Sequence, residues 1–254
     1  MGTLSGKKGL IIGIANEHSL AYGCARSFGD AGAELAITYL NAKAEPFVRP
    51  LAEGLGSAIV MPCEVTKPGE MDAVFDAIAR QWGRLDFALH SIAFARKEDL
   101  HGRLTDCPAD GFALAMQVSV HSFLAMARRA EPLMHGGGTL LAMSYYGAEK
   151  AVAHYNVMGP VKAALESAVR YMAVELGERA IRVNALSPGP VRTRAASGIA
   201  HFDELLETAR RQAPEHRLVD ADEVGALAAF LVSDAASAIT GTVSYIDAGL
   251  HVVG

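Results

Sequence analysis

Along the chain, short unbroken apolar runs alternate with longer stretches in which apolar residues recur every three or four positions. These are the signatures of buried strands and of packed helices. The first strand is expected over residues 9–14 (GLIIGI) and the first helix over 19–32. A second strand and helix follow at 34–39 and 44–55, and a third pair at 58–63 and 69–82. Next come a strand at 85–90, a long helical region at 110–134, a strand at 138–143, a helix at 160–176 and a strand at 181–186. After a loop and further helices the pattern closes on a strand at 243–247. Strands that are apolar at nearly every position must be covered on both faces. The pattern therefore predicts an α/β fold, a doubly wound parallel sheet with helices on both faces, whose ligands gather beyond the carboxyl ends of the strands. No linker, repeat or low-complexity stretch divides it, so one domain is expected over 1–254.

At 254 residues, 51% hydrophobic and 20% charged, the chain can bury a substantial core. A net charge of −5 with no lysine or arginine run argues against nucleic acid as the main partner and leaves small molecules or a modest protein partner. Cys24, Cys63 and Cys107 are odd in number, scattered and without metal-ligand spacing, which makes them reduced packing residues. The segment 1–8 has no apolar signal core, and no stretch reaches the length of a membrane span. A soluble, cytoplasmic protein is expected.

The unusual residues collect at four strand ends. After the first strand stands Gly13-Ile14-Ala15-Asn16-Glu17-His18-Ser19-Leu20-Ala21-Tyr22-Gly23, where glycine and small residues let the backbone approach a pyrophosphate and Ser19 can cap the helix and offer its hydroxyl to phosphate oxygens. The turn differs from G-x-G-x-x-G, and alone it would mark only a strand-to-helix connection. At the end of the second strand, Tyr39-Leu40-Asn41 carries neither the acidic residue that takes ribose hydroxyls nor the arginine that takes a 2′-phosphate. The missing arginine favours NADH over NADPH, although Lys43 lies close by. Glu64 and Val65, after the third strand, can hold an adenine or stand as an ordinary loop. His90-Ser91-Ile92-Ala93 ends the fourth strand with small residues beside a nicotinamide, His90 being read as structural. The turn 187–193 (SPGPVRT) can present backbone groups to the carboxamide.

The chemistry is carried by Tyr155 and Lys162. A phenol can give a proton or hydrogen bond to an oxygen that becomes negative, and an ammonium stabilises the charge left behind. A spacing of seven would set the two about 10.5 Å apart along a single helix, and Pro160 belongs in a first helical turn. Tyr155 is therefore expected in an extended run before the helix, with Lys162 one turn inside it.

These residues resemble the divergent short-chain dehydrogenase/reductases, and within them the bacterial NADH-dependent enoyl-acyl carrier protein reductases. The resemblance runs over essentially the whole chain. Its marks are Gly13-x5-Ser19-x-Ala21-x-Gly23, His90-Ser91-Ile92, Ser144-Tyr145, Tyr155-x6-Lys162, Arg182-Val183-Asn184 and the segment 195–199 (AASGI). It implies a Rossmann-like single domain that moves a hydride from NADH to the β-carbon of a trans-2-enoyl thioester on acyl carrier protein, in fatty acid synthesis. Tyr155 would hold the enolate oxygen, Lys162 would bind the nicotinamide ribose, and Tyr145 would complete the catalytic set. The cofactor residues carried over are Gly13, Ser19, Leu20, Leu40, Glu64, Val65, Ile92, Lys162, Val191, Arg192, Thr193, Arg194 and Ala195. Ala95, Tyr145 and Tyr155 would meet substrate, a substrate loop is expected near 192–212, and the assembly would be a homotetramer. Ala93 stands where the family has glycine, Leu40 replaces a polar residue and Glu64 an aspartate. A ketone or 3-ketoacyl reductase is the rival within the fold, disfavoured by the seven-residue spacing. A silent dinucleotide-binding regulator is the rival outside it, disfavoured by the intact Tyr145, Tyr155 and Lys162.

Overall fold

The computed structural model describes residues 2–193 and 201–253. One seven-stranded sheet organises them: β1 (Lys8–Ile12), β2 (Glu34–Tyr39), β3 (Ile59–Pro62), β4 (Phe87–His90), β5 (Gly138–Met143), β6 (Ile181–Pro188) and β7 (Val243–Ile246). Every pairing is parallel, in the order β3-β2-β1-β4-β5-β6-β7. Alternate residues of each strand serve opposite faces. Leu10 and Ile12 of β1 join one core cluster and Ile11 the other. In β5, Leu140 and Ala142 divide from Leu141 and Met143 in the same way. Both sets are buried, which explains the unbroken apolar runs.

The first face is covered by α3 (Glu70–Trp82), α5 (Ala109–Met116), α6 (Ser122–Ala130) and α7 (Met158–Gly177), and the second by α1 (Leu20–Asp30), α2 (Glu45–Gly54) and α9 (Ala221–Val232). Two further helices, α4 (Lys97–His101) and α8 (Phe202–Gln212), lie in the loops beyond the strands. Helix ends follow local chemistry. Asp220 and Glu223 close a capping box at the start of α9, and Gly83 at φ 68° ends α3 in a left-handed turn.

Three expectations are corrected. The helical region 110–134 is broken by a π-helical turn at Gln117–His121 and ends in a 3-10 turn at Glu131–Leu133. The helix expected from Pro160 starts at Met158, which puts the proline third in its first turn. The stretch 192–212 is not loop throughout, because α8 occupies Phe202–Gln212.

Candidate active site

From β1 the chain steps outward through β2 and β3, then returns to lay β4 against the other side of β1. Two connections thus diverge at the carboxyl ends of β1 and β4, and a crevice opens between them. Ile12 and His90 are paired there, so Gly13 and Ser91 form its floor. Gly13 has φ 122°, and a Cβ on it would lie 2.1 Å from the Ser91 carbonyl oxygen. Only glycine fits that backbone and that approach.

Two adjoining cavities fill the crevice. The smaller, about 130 Å³, is lined by Gly13, Ser19, Leu20, Ile92, Met143, Ser144, Lys162 and Thr193, among others. The larger, about 440 Å³, runs over the ends of β2 and β3 between Thr38, Leu40, Glu64, Val65, Ile92 and Val118. No lysine or arginine lines the larger one among the described residues. Glu64 does, with Lys67 held against it at 3.0 Å and against Glu70 at 3.4 Å, so that ammonium is already shared by two carboxylates. The lysine, hydrogen-bonding to it, is the largest cause holding the Glu64 carboxyl below its ordinary range.

Ser19 is the N-cap residue of α1, but its hydroxyl is used within the loop. It accepts from the amides of Ala15 at 3.0 Å and Asn16 at 3.1 Å, and makes no capping bond to the helix. The hydroxyl braces the turn, and Ser19 also lines the smaller cavity where the phosphate is expected.

The reactive residues come from the end of β5 and the start of α7. Ser144 follows β5, and Tyr145 continues it in extended conformation before a 3-10 turn at Tyr146–Ala148. Tyr155 does not lie in an extended run as expected. It sits in a turn between His154 at φ 62° and Asn156 at φ 40°, and the Asn156 side chain donates to the Leu100 carbonyl. The Tyr155 ring meets Tyr145 edge-on at 4.8 Å between centroids. A Cβ on Gly147 would fall 2.6 Å from the Tyr155 ring, so glycine there lets the rings close. Tyr145 in turn packs edge-on against Tyr146 at 4.8 Å, and its hydroxyl is buried. Burial raises both the Tyr145 and Tyr155 phenols well above their ordinary value, with the Glu166 charge adding to the rise at Tyr155. Both are neutral donors at physiological pH.

Lys162, in the second turn of α7, is 4% exposed and donates to the Met143 carbonyl at 2.6 Å. Burial brings its ammonium down to about 8, against the upward pull of Glu166. Four residues on, Glu166 accepts from the Ser144 hydroxyl at 2.5 Å. His90 is structural, as expected. The Ser122 hydroxyl gives its proton to the Val118 carbonyl, so His90 donates from Nε2 to Ser122 at 2.6 Å. Burial holds the imidazole neutral, at about 3.

The remaining expected residues separate. Ala95 is buried in the core and lines neither cavity. Val191 packs into a small cluster with Ala213 and Leu250, and Arg192 pairs with Asp203 at 2.7 Å. Arg194 and Ala195 lie outside the described residues. The His154 ring stacks on His201 at 4.9 Å, joining the Tyr155 turn to the start of α8. Cys24 and Cys63 are buried, Cys107 is partly exposed, and none forms a disulfide. Sequence reading missed Thr38 and Val118 in the cavity wall and Glu166 behind Lys162. For Glu166 a signal existed, its helical spacing of four from the lysine.

Residues 13–251 match the family model described as enoyl-(acyl carrier protein) reductase. An enoyl-[acyl-carrier-protein] reductase [NADH] of Rhizobium meliloti is 48% identical over 253 residues, covering all of this chain and 93% of the relative. Among solved structures, the reductase of Anaplasma phagocytophilum in complex with NAD is 47% identical, with a TM-score of 0.96 over 100% of this chain and 97% of that one. The Bacillus cereus reductase with NADP+ and indole naphthyridinone is 42% identical, with a TM-score of 0.97 over the whole of both chains.

Proposed function

The chain belongs to the enoyl-(acyl carrier protein) reductase family, and from that premise we propose how its own residues reduce a trans-2-enoyl thioester of acyl carrier protein with NADH in fatty acid synthesis. The single observation that carries the reading is the crevice at the β1/β4 divergence, where the Gly13 cradle and the Lys162 ammonium line the same cavity. The cradle that a Cβ would fill suits a pyrophosphate. The larger cavity, lined by Glu64 and by no cation among the described residues, suits an adenosine with free ribose hydroxyls better than a 2′-phosphate.

NADH, when bound, supplies the hydride that the β-carbon of the substrate accepts. As that carbon becomes saturated, negative charge grows on the thioester oxygen. The Tyr155 hydroxyl, kept protonated by burial, donates a hydrogen bond to it. Lys162 holds the ribose hydroxyls and adds positive potential to the same region. Tyr145, edge-on to Tyr155, fixes the ring that donates and lines the acyl side. Ile92 and Leu20 exclude water, and Thr193 lines the same cavity on the nicotinamide side.

We assign the protein to the cytoplasm, which agrees with there being no described helix long and apolar enough to cross a membrane. A homotetramer is supported by the outer face of α7, where Tyr171 is 72% and Val174 80% exposed.

The test follows NADH absorbance with crotonyl and acetoacetyl thioesters. Oxidation with crotonyl alone is expected. Oxidation with acetoacetyl alone would transfer the protein to ketone reduction, and silence with both would leave a dinucleotide-binding protein without turnover.

A further inference from the structure

A second charged group stands behind the Lys162 ammonium and has no part in the reaction as derived. Glu166 is 3% exposed, on the same face of α7 one turn beyond Lys162, which is 4% exposed. The two side chains seize consecutive residues at the end of β5. Lys162 donates to the Met143 carbonyl at 2.6 Å, and Glu166 accepts from the Ser144 hydroxyl at 2.5 Å. The next residue is Tyr145. A leucine would join α7 to β5 without a buried charge, and replacing buried ions by apolar residues is often neutral for stability. Packing alone therefore gives no reason for a carboxylate here.

The surroundings give one. Among the described residues, the negative charge that bears on Lys162 is Glu166. Its field also reaches Tyr155 and Tyr245. Glu149 faces it from the turn after Tyr146, and Arg170 from the next turn of α7. Without Glu166 the buried ammonium would have no opposing charge, and burial disfavours a lone cation strongly. The same carboxylate disfavours the phenolate of Tyr155, which keeps that group a proton donor.

We infer that Glu166 is a positioning residue of the reductase site: through Ser144 it fixes the strand end that carries Tyr145, and its carboxylate is the counter-charge that keeps Lys162 cationic in the cavity. The inference rests on the reading of Lys162 given under Proposed function. It requires Glu166 ionised and Lys162 protonated together: burial pushes the Glu166 carboxyl up and the Lys162 ammonium down, the Ser144 hydrogen bond and the charges of Arg170 and Lys162 oppose the first shift, and the Glu166 charge opposes the second.

The test compares wild type with E166Q, which keeps an oxygen for the Ser144 hydroxyl and removes the charge. The pH profile of kcat/KM with crotonyl thioester is measured beside NADH affinity by fluorescence titration across the same range. In wild type both fall on the alkaline side as Lys162 deprotonates near 8. In E166Q that limb moves to lower pH, so for one unit of displacement kcat/KM drops by about twofold at pH 7 and by about fivefold to tenfold between pH 8 and pH 9. NADH affinity follows it, and E166D restores the limb. If E166Q does not fold, E166L serves in its place and is read by the position of the limb alone, because it also removes the acceptor of the Ser144 hydroxyl. A uniform loss at every pH, or a lower melting temperature with the limb unmoved, would make Glu166 merely structural and overturn the inference. A limb that persists unchanged in K162M would instead overturn the reading of Lys162 on which the inference stands. The two failures are thereby told apart.

Discussion

Tyr155 combines two properties that a reductase needs in one residue: a ring held in place by its neighbours and an environment that keeps its hydroxyl protonated. Its rigidity comes from the edge contact with Tyr145 and the turn between His154 and Asn156. Tyr155→Phe removes the donor without removing the ring. Turnover should fall by roughly two to four orders of magnitude, the span expected for an acid or an oxyanion donor, with little change in melting temperature. Wild-type turnover in that variant would end its assignment. Lys162→Met should weaken NADH binding, because the cavity loses the ammonium proposed to hold the ribose, and a calorimetric titration with unchanged affinity would refute the contact. His90 makes a different prediction. Its imidazole is neutral in the fold down to about pH 3, whereas in the unfolded chain it takes a proton near 6.5. As pH falls below 6.5, the unfolded state binds a proton that the native state refuses, so stability declines. Above 6.5 the group contributes no slope. His90→Leu should make urea midpoints fall less steeply than wild type between about pH 7 and pH 5. Parallel curves would show that His90 is not the group resisting protonation.

The limits of sequence reading appear at the level of the elements. The strands were legible because burial on both faces leaves an apolar residue at nearly every position, as in Leu10-Ile11-Ile12. The seven-residue spacing to Lys162 and the first-turn Pro160 together placed the start of α7 within two residues. The turn that holds Tyr155 was not legible, since His154 and Asn156 adopt left-handed backbone without a glycine to mark it. The π-helical turn at 117–121 is equally silent, because one extra residue in a turn hardly disturbs the apolar period. It nonetheless matters at the site: Ser119 in it accepts from the Phe94 amide at 3.1 Å, and Val118 lines the larger cavity. Glu166 carried the right spacing, but a carboxylate in a helical pattern reads as surface until the packing is known. Gly23 shows the opposite error. It reads as part of a phosphate cradle, yet a Cβ there would lie 2.3 Å from the Ala221 carbonyl at the start of α9. It therefore permits α1 and α9 to touch backbone to backbone. Gly23→Ala should cost roughly 1–3 kcal/mol of stability, lowering the melting temperature by about 2–4 °C for each, while NADH affinity stays near wild type. Intact stability with weakened NADH binding would return Gly23 to the cradle.

At the scale of the whole molecule, the site is a consequence of strand order. The return from β3 to β4 opens the crevice, and Gly13 after β1, Ile92 after β4, Ser144 after β5 and Lys162 near the start of α7 all line it. The sheet has both of its faces covered, and the exposed large apolar side chains are spread over connections (Leu40, Phe94) and over helices of both faces (Phe47 on α2 and Phe230 on α9; Phe112 on α5, Leu124 on α6). Tyr171 and Val174 on α7 are the most exposed of those on helices. Single exposed apolar residues are ordinary, but an aromatic and a branched side chain one turn apart, each more than two thirds exposed on a helix whose inner face is fully packed, form a patch that suits a second copy. α7 also carries Lys162 and Glu166, so a contact on its outer face would brace the helix that holds the site. Sedimentation of the wild-type protein should give a tetramer, and the double variant Tyr171→Glu/Val174→Glu a smaller species. Because the substitutions lie on the solvent side of α7, the smaller species should keep its helical content. It should lose part of its turnover and melt earlier as α7 loses its support. A wild-type protein that sediments as a monomer would dismiss the assembly, and a dissociated variant with full turnover would show that the site needs no neighbour.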